Sequence, residues 1–218
     1  MNIKELILNP NNFFKNLANR EVSLKTPFLI VLTFSVFMSI YTYYTTSTMF
    51  KIFPSDMQGI MSMMMIISAT SALVGGFVSW IIIAGIMHII SMVFKGEGSF
   101  KRTLAFVGYG FLPNIIGLLI SIPITYYFLS NAHIPTLTME QLQNPEVLKQ
   151  VIKSMFPKSM LYTNLLIGLA VTLWNLYIWT YAIKYARNLE LRKAFIVALI
   201  PTLLFGLYQL YKIIKLII

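Results

Sequence analysis

The sequence predicts an all-α, polytopic membrane protein: a bundle of five transmembrane helices with short amphipathic surface helices. Three observations carry this. Of 218 residues, 57% are hydrophobic and only 11% are charged, with a mean hydropathy of +0.74, whereas a soluble domain carries about 25% charged residues to wet its surface. Uncharged runs extend over Thr26–Phe50, Met57–Phe94, Thr103–Met139, Ser159–Ile183 and Ala194–Tyr211. Each is long enough to supply the roughly 20 residues that cross a bilayer. Finally, five spans put eleven of the 17 basic residues on the N-terminal side and six on the other. That bias predicts a multi-pass protein of the cell membrane with a cytoplasmic N-terminus and an extracytoplasmic C-terminus.

The elements follow in order. Residues 1–26 lack the apolar core of a signal peptide, so the first span is expected to act as its own insertion signal. Asn9-Pro10 is a helix-start signal, and Phe13, Phe14 and Leu17 then fall on one face opposite Asn11, Asn12, Lys15, Asn16 and Asn19. This predicts a cytoplasmic amphipathic segment lying on the membrane surface, with a partner-binding helix as the alternative. The membrane domain, residues 27–218, holds spans at about 27–48, 66–94, 103–129, 160–183 and 194–213. Gly75-Gly76 is a candidate break in the second, yet no charged or Pro/Asn-rich turn interrupts that run, and one long helix is expected. The extracytoplasmic loop 130–158 contains a capped start at Asn144-Pro145. Apolar residues at helical spacing follow from Val147 to Phe156, which reads as a cap on the membrane or the bundle.

Inside the spans, small residues recur. Ser68, Ala72 and Gly76 form one ridge of the second span, and Ser71, Gly75 and Ser79 the next. Gly110, Gly117 and Ser121 lie near one another in the third, with Pro113 and Pro123 as bends. Such faces let backbones approach where lipid removes any hydrophobic drive to associate, so the second and third spans are expected to pack as a tight hairpin. Their hinge is Lys95-Gly96-Glu97-Gly98, and Ser99 caps the helix after it. A faint repeat relates the third and fifth spans, each running from a basic pair to a proline, Pro113 or Pro201, and a glycine, Gly117 or Gly206.

The chemistry is sparse. There is no cysteine, the only histidines are His88 and His133, and no acidic residue falls inside a span. No catalytic, cofactor or metal residues are assigned, and a non-enzymatic protein is expected. A membrane serine protease would need a serine paired with His88, and no serine is singled out. The candidate intramembrane polar positions are His88, Asn114, Asn164 and Asn175, which either hydrogen-bond between helices or line a polar track. Lipid attraction accounts for the +10 net charge, and no nucleic-acid partner is implied, since basic residues and aromatics are not interleaved in one patch.

The segment from Lys95 to Pro113, KGEGSFKRTLAFVGYGFLP, resembles the signature of the Yip family (Ypt-interacting proteins, the Yip-one domain). In that family a glycine-rich turn leads into a helix ending in a Gly-Tyr-x-x-x-Pro-like motif, matched here by Gly96, Gly98, Gly108, Tyr109, Gly110 and Pro113. Asn9-Pro10 with Phe13-Phe14 is similar to the N-terminal pattern of its prokaryotic members. The resemblance implies five spans with a cytoplasmic N-terminus and covers nearly the whole chain. Eukaryotic members are associated with Rab-type GTPases. Here only 26 residues precede the first span, so a small GTPase is not the expected partner and the chain resembles the short prokaryotic type. The functional expectation is membrane organisation through the lipid bilayer, a membrane-protein partner or a homo-oligomer. The alternative is a small transporter or channel whose proline-broken helices line a polar path.

Overall fold

Asn2 and Asn9 each cap a short helix, α1 (Ile3–Leu8) and α2 (Pro10–Ala18). The Asn9 side chain accepts from the Asn12 N–H, and Pro10 fills the first helical position, where its missing N–H leaves nothing unpaired. In this computed structural model, which describes residues 2–217, with the side chains of Gln209 and 212–217 excepted, every further element is also helical. The first span is α3 (Lys25–Met49), which ends in a 3-10 turn at Phe50–Ile52. A second 3-10 turn, Ser55–Met57, opens α4 (Gln58–Val93). The third span is α5 (Phe100–Tyr109) with α6 (Leu112–Ser130). After α7 (Met139–Gln143) and α8 (Pro145–Met155) come α9 (Lys158–Ala186) and α10 (Leu191–Ile217). Among the described residues five stretches are long and apolar enough to cross a membrane.

The bundle has its apolar side chains on both surfaces. Ile81, Ile82, Leu166 and Leu203 point outward, while Met87, Phe106, Ile178 and Ile183 are fully enclosed. That arrangement fits a lipid solvent, in which packing rather than hydrophobicity selects the interior. Helix α4 runs unbroken through Gly75-Gly76 for 36 residues. At 1.5 Å per residue it is about 54 Å long, well beyond the roughly 30 Å hydrocarbon core.

Packing departs from the sequence expectation first at the second and third spans. Helix α5 lies against α4, but the second half of the third span, α6, turns away to α3 and α9. The small residues of α4 therefore serve a different neighbour: Gly76 faces Ser35 of α3, while Gly75 has nothing within 4 Å of where a Cβ would stand. Gly117 instead meets α9, where a Cβ would lie 2.7 Å from Val171 Cγ2. Among the described residues only the third span is broken. Pro123 and Pro201 sit inside continuous helices, and the proposed repeat of third and fifth spans is not matched by a shared break.

The surface pieces pack on protein. Phe14 and Leu6 are fully buried and Phe13 nearly so, in the same core as α5 and α9. The apolar face of α2, expected on the membrane surface, is covered by the bundle itself. At the other end Met155 of α8 joins Ile52 and Leu137 in a small separate core, and the Leu137 N–H donates to the Ile52 carbonyl at 2.7 Å. The 130–158 connection thus caps the turn between α3 and α4.

Candidate functional site

The third span breaks at Gly110-Phe111 for a local reason. Pro113 has no N–H to offer the Tyr109 carbonyl, and its ring is tolerated only in the first turn of a new helix, where it stands in α6. The chain crosses the gap with tighter i→i+3 bonds: the Gly110 N–H donates to the Val107 carbonyl at 3.0 Å and the Phe111 N–H to the Gly108 carbonyl at 3.2 Å.

Two tryptophans hold this break. The Trp80 indole N–H of α4 donates to the Leu104 carbonyl at 2.8 Å, and that of Trp179 in α9 to the Val107 carbonyl at 2.9 Å. A carbonyl has two lone pairs, so each takes an indole beside its backbone partner. The glycines make room for the rings. A Cβ on Gly108 would lie 2.6 Å from Pro27 Cβ and 2.9 Å from Trp80 Nε1, and one on Gly110 would overlap the Trp179 indole. Tyr109, between them, faces the other way, with its ring edge-on to Phe13 at 5.3 Å and Phe14 at 6.2 Å. The segment is therefore a packing junction for α2, α3, α4 and α9.

The hinge beneath it is held by a residue that the sequence reading counted only as a positive charge. Arg187, at the end of α9, is 3% exposed. Its Nε–H donates to Ser91 Oγ at 2.8 Å, its Nη2 group to the Gly96 carbonyl at 2.6 Å and its Nη1 group to the Gly98 carbonyl. In return the Arg187 carbonyl accepts the Glu97 N–H at 2.9 Å. Both α4 and α9 end in Schellman turns, with Lys95 (φ 59°) and Asn188 (φ 53°) in the left-handed conformation. Glycine is required slightly later, at Gly98 (φ 104°), where a side chain would also meet the Ala186 carbonyl at 2.9 Å. Burial lowers the Arg187 pKa from its ordinary value, yet a guanidinium keeps its proton. The missed signal was one of number: five N–H donors match a turn rich in free carbonyls.

The polar positions separate into three places. His88 Nδ1 lies 2.9 Å from Thr103 Oγ1, its ring edge-on to Phe100 at 5.4 Å, so it ties α4 to α5. Asn114 of α6 and Asn175 of α9 exchange amide hydrogen bonds at 3.3 and 3.2 Å. Asn164, nearer the start of α9, donates to Thr125 Oγ1 at 3.3 Å and the Met160 carbonyl at 3.2 Å. All three asparagines border one cleft of about 490 Å³, whose other walls include Gly75, Ser79 and Phe111; His88 does not reach it. The small residues of α4 border this space instead of closing on the third span. Among the described residues no group of three His, Asp or Glu stands close enough to hold a metal ion.

A family model of the Yip1 domain matches residues 4–213. The chain belongs to the Yip1 family. It is 58% identical over 127 residues to an uncharacterised protein of Methanocaldococcus jannaschii, a match covering 58% of this chain and 90% of that protein. No solved structure matches it. The glycine-rich turn and the Gly-Tyr-Gly junction lie within the Yip1-matched region.

Proposed function

We propose that this Yip1-family member is a non-enzymatic membrane organiser, acting through lipid or protein partners, with its N-terminus in the cytoplasm and its C-terminus outside. One observation carries the reading. Trp179 and Phe111 line the cleft, whereas Trp80, Gly108, Gly110 and the Phe13–Phe14–Phe106 cluster do not and form a buried layer against them. A transport path would have to cross that layer, whose side chains are buried and whose indole donors are already bonded. His88, bonded to Thr103, lies outside the cleft and has no carboxylate among the described residues to relay a proton.

A second reading, a small transporter, is favoured by the cleft itself, because three asparagines border it. Reconstituted vesicles separate the two. Solute and ion flux equal to that of protein-free vesicles is the expected result. Flux above that level, abolished by Asn114→Leu, would establish transport and sink the organiser reading.

A further inference from the structure

A second recess, of about 560 Å³, lies in the groove between α9 and α10 at the end where the two helices join. Its walls are Leu173, Leu176, Tyr181, Phe195 and Ile196, with Arg192 among its lining residues. The wall is apolar in effect, because the Thr180 hydroxyl within it donates to its own helix, at the Leu176 carbonyl, at 2.7 Å. From Leu173 to Tyr181 the slot follows α9 for about 12 Å, close to the roughly 15 Å of hydrocarbon in one leaflet.

Charge separates this groove from an ordinary lipid-facing surface. Arg192 is the second residue of the fifth span, Leu191–Tyr208, which sets it at headgroup depth. Its basic neighbours are engaged: Lys193 pairs with Glu190 at 3.5 Å, Lys184 lies over the Tyr185 ring at 4.9 Å, and Arg187 is enclosed in the hinge. The Arg192 side chain is exposed and makes no hydrogen bond or ion pair among the described residues. A guanidinium fork matches phosphate oxygens two at a time. We propose that the α9–α10 groove binds one anionic phospholipid, with an acyl chain in the slot and the phosphate on Arg192. The site goes beyond the function proposed above and would stand even if the cleft conducted a solute. Flux measured on the same vesicles keeps the two claims distinguishable.

The test is native mass spectrometry of the full chain released from vesicles of phosphatidylcholine and phosphatidylglycerol. The parent should retain one phosphatidylglycerol in preference to phosphatidylcholine. Arg192→Gln should reduce that preference about fivefold, the equivalent of roughly 1 kcal/mol for one basic residue at a membrane surface. Arg192→Lys should retain part of it. Ile196→Trp, which fills the slot and leaves the charge, should lose the lipid, and Lys101→Gln, an exposed cation on the same face, should not. Equal losses from Arg192→Gln and Lys101→Gln would reduce the effect to general surface attraction and overturn the site. So would a parent that retains no anionic lipid, or a dimer of this chain whose α9–α10 face is protected without one.

Discussion

Gly110 and Gly75 differ in what an added methyl group would meet. At Gly110 it would overlap the Trp179 indole, whose N–H bond to Val107 closes the break in the third span; at Gly75 it meets nothing within 4 Å. Gly110→Ala should therefore cost about 1–3 kcal/mol by overpacking, and Gly110→Leu or Gly108→Leu at least as much, read as a lower thermal midpoint in detergent. Gly75→Ala should be neutral or slightly stabilising, since alanine is the better helix former. Equal melting of Gly110→Ala and Gly75→Ala would refute the junction. Replacing Trp179 by Phe keeps most of the ring and removes the donor, for an expected loss of about 1 kcal/mol. Sequence showed that the glycines mark close packing. It did not show against what, because the indoles arrive from helices far along the chain.

At the scale of elements, the two turns joining α4 to α5 and α9 to α10 are one unit, held by Arg187. Arg187→Lys keeps the charge and loses the fork that bonds the Gly96 and Gly98 carbonyls and Ser91. The expected cost is about 1.5–3 kcal/mol, the range for bonds to a charged group. It should appear as faster amide exchange at Gly96 to Ser99, above all at Glu97, whose N–H bonds the Arg187 carbonyl. Unchanged exchange there would mean the turns hold without the guanidinium. The glycine-rich turn was legible in the sequence, as was the Ser99 cap, which accepts from Arg102 N–H at 3.3 Å. The left-handed positions were not, since they fall on Lys95 and Asn188 and glycine is only the commonest choice there. The burial of α2 was half legible: spacing gave its apolar face, but not whether lipid or protein covers it.

For the whole molecule, the cleft and the orientation make separable predictions. Asn114 and Asn175 satisfy each other, so Asn114→Leu or Asn175→Leu alone leaves the partner amide without its bond. The double variant removes both. It should be less destabilised than the sum of the singles, with a coupling of about 0.6–1.7 kcal/mol. Simple additivity would mean that the pair is not an energetic unit. Orientation is directly testable because the chain has no cysteine. With the proposed topology, an impermeant thiol reagent applied to whole cells should label Gln143→Cys and leave Lys101→Cys unlabelled. The reverse pattern would invert the assignment.

The sequence by itself determined that this is an all-helical protein of five spans, because span length and charge placement answer to the bilayer and need no knowledge of neighbours. It also determined where the capped helices α2, α5 and α8 start and where the third span is weakest, since caps, glycine and proline act within a few residues of themselves. Only the tertiary structure decided which faces meet. Small residues permit contact without naming the partner, so of two adjacent α4 ridges one closes on α3 at Gly76 and the other opens onto a cleft at Gly75. It alone also drew Arg187 inward to hold two turns, because bonds between residues so far apart in the chain are fixed by how the helices assemble, not by any local pattern of residues.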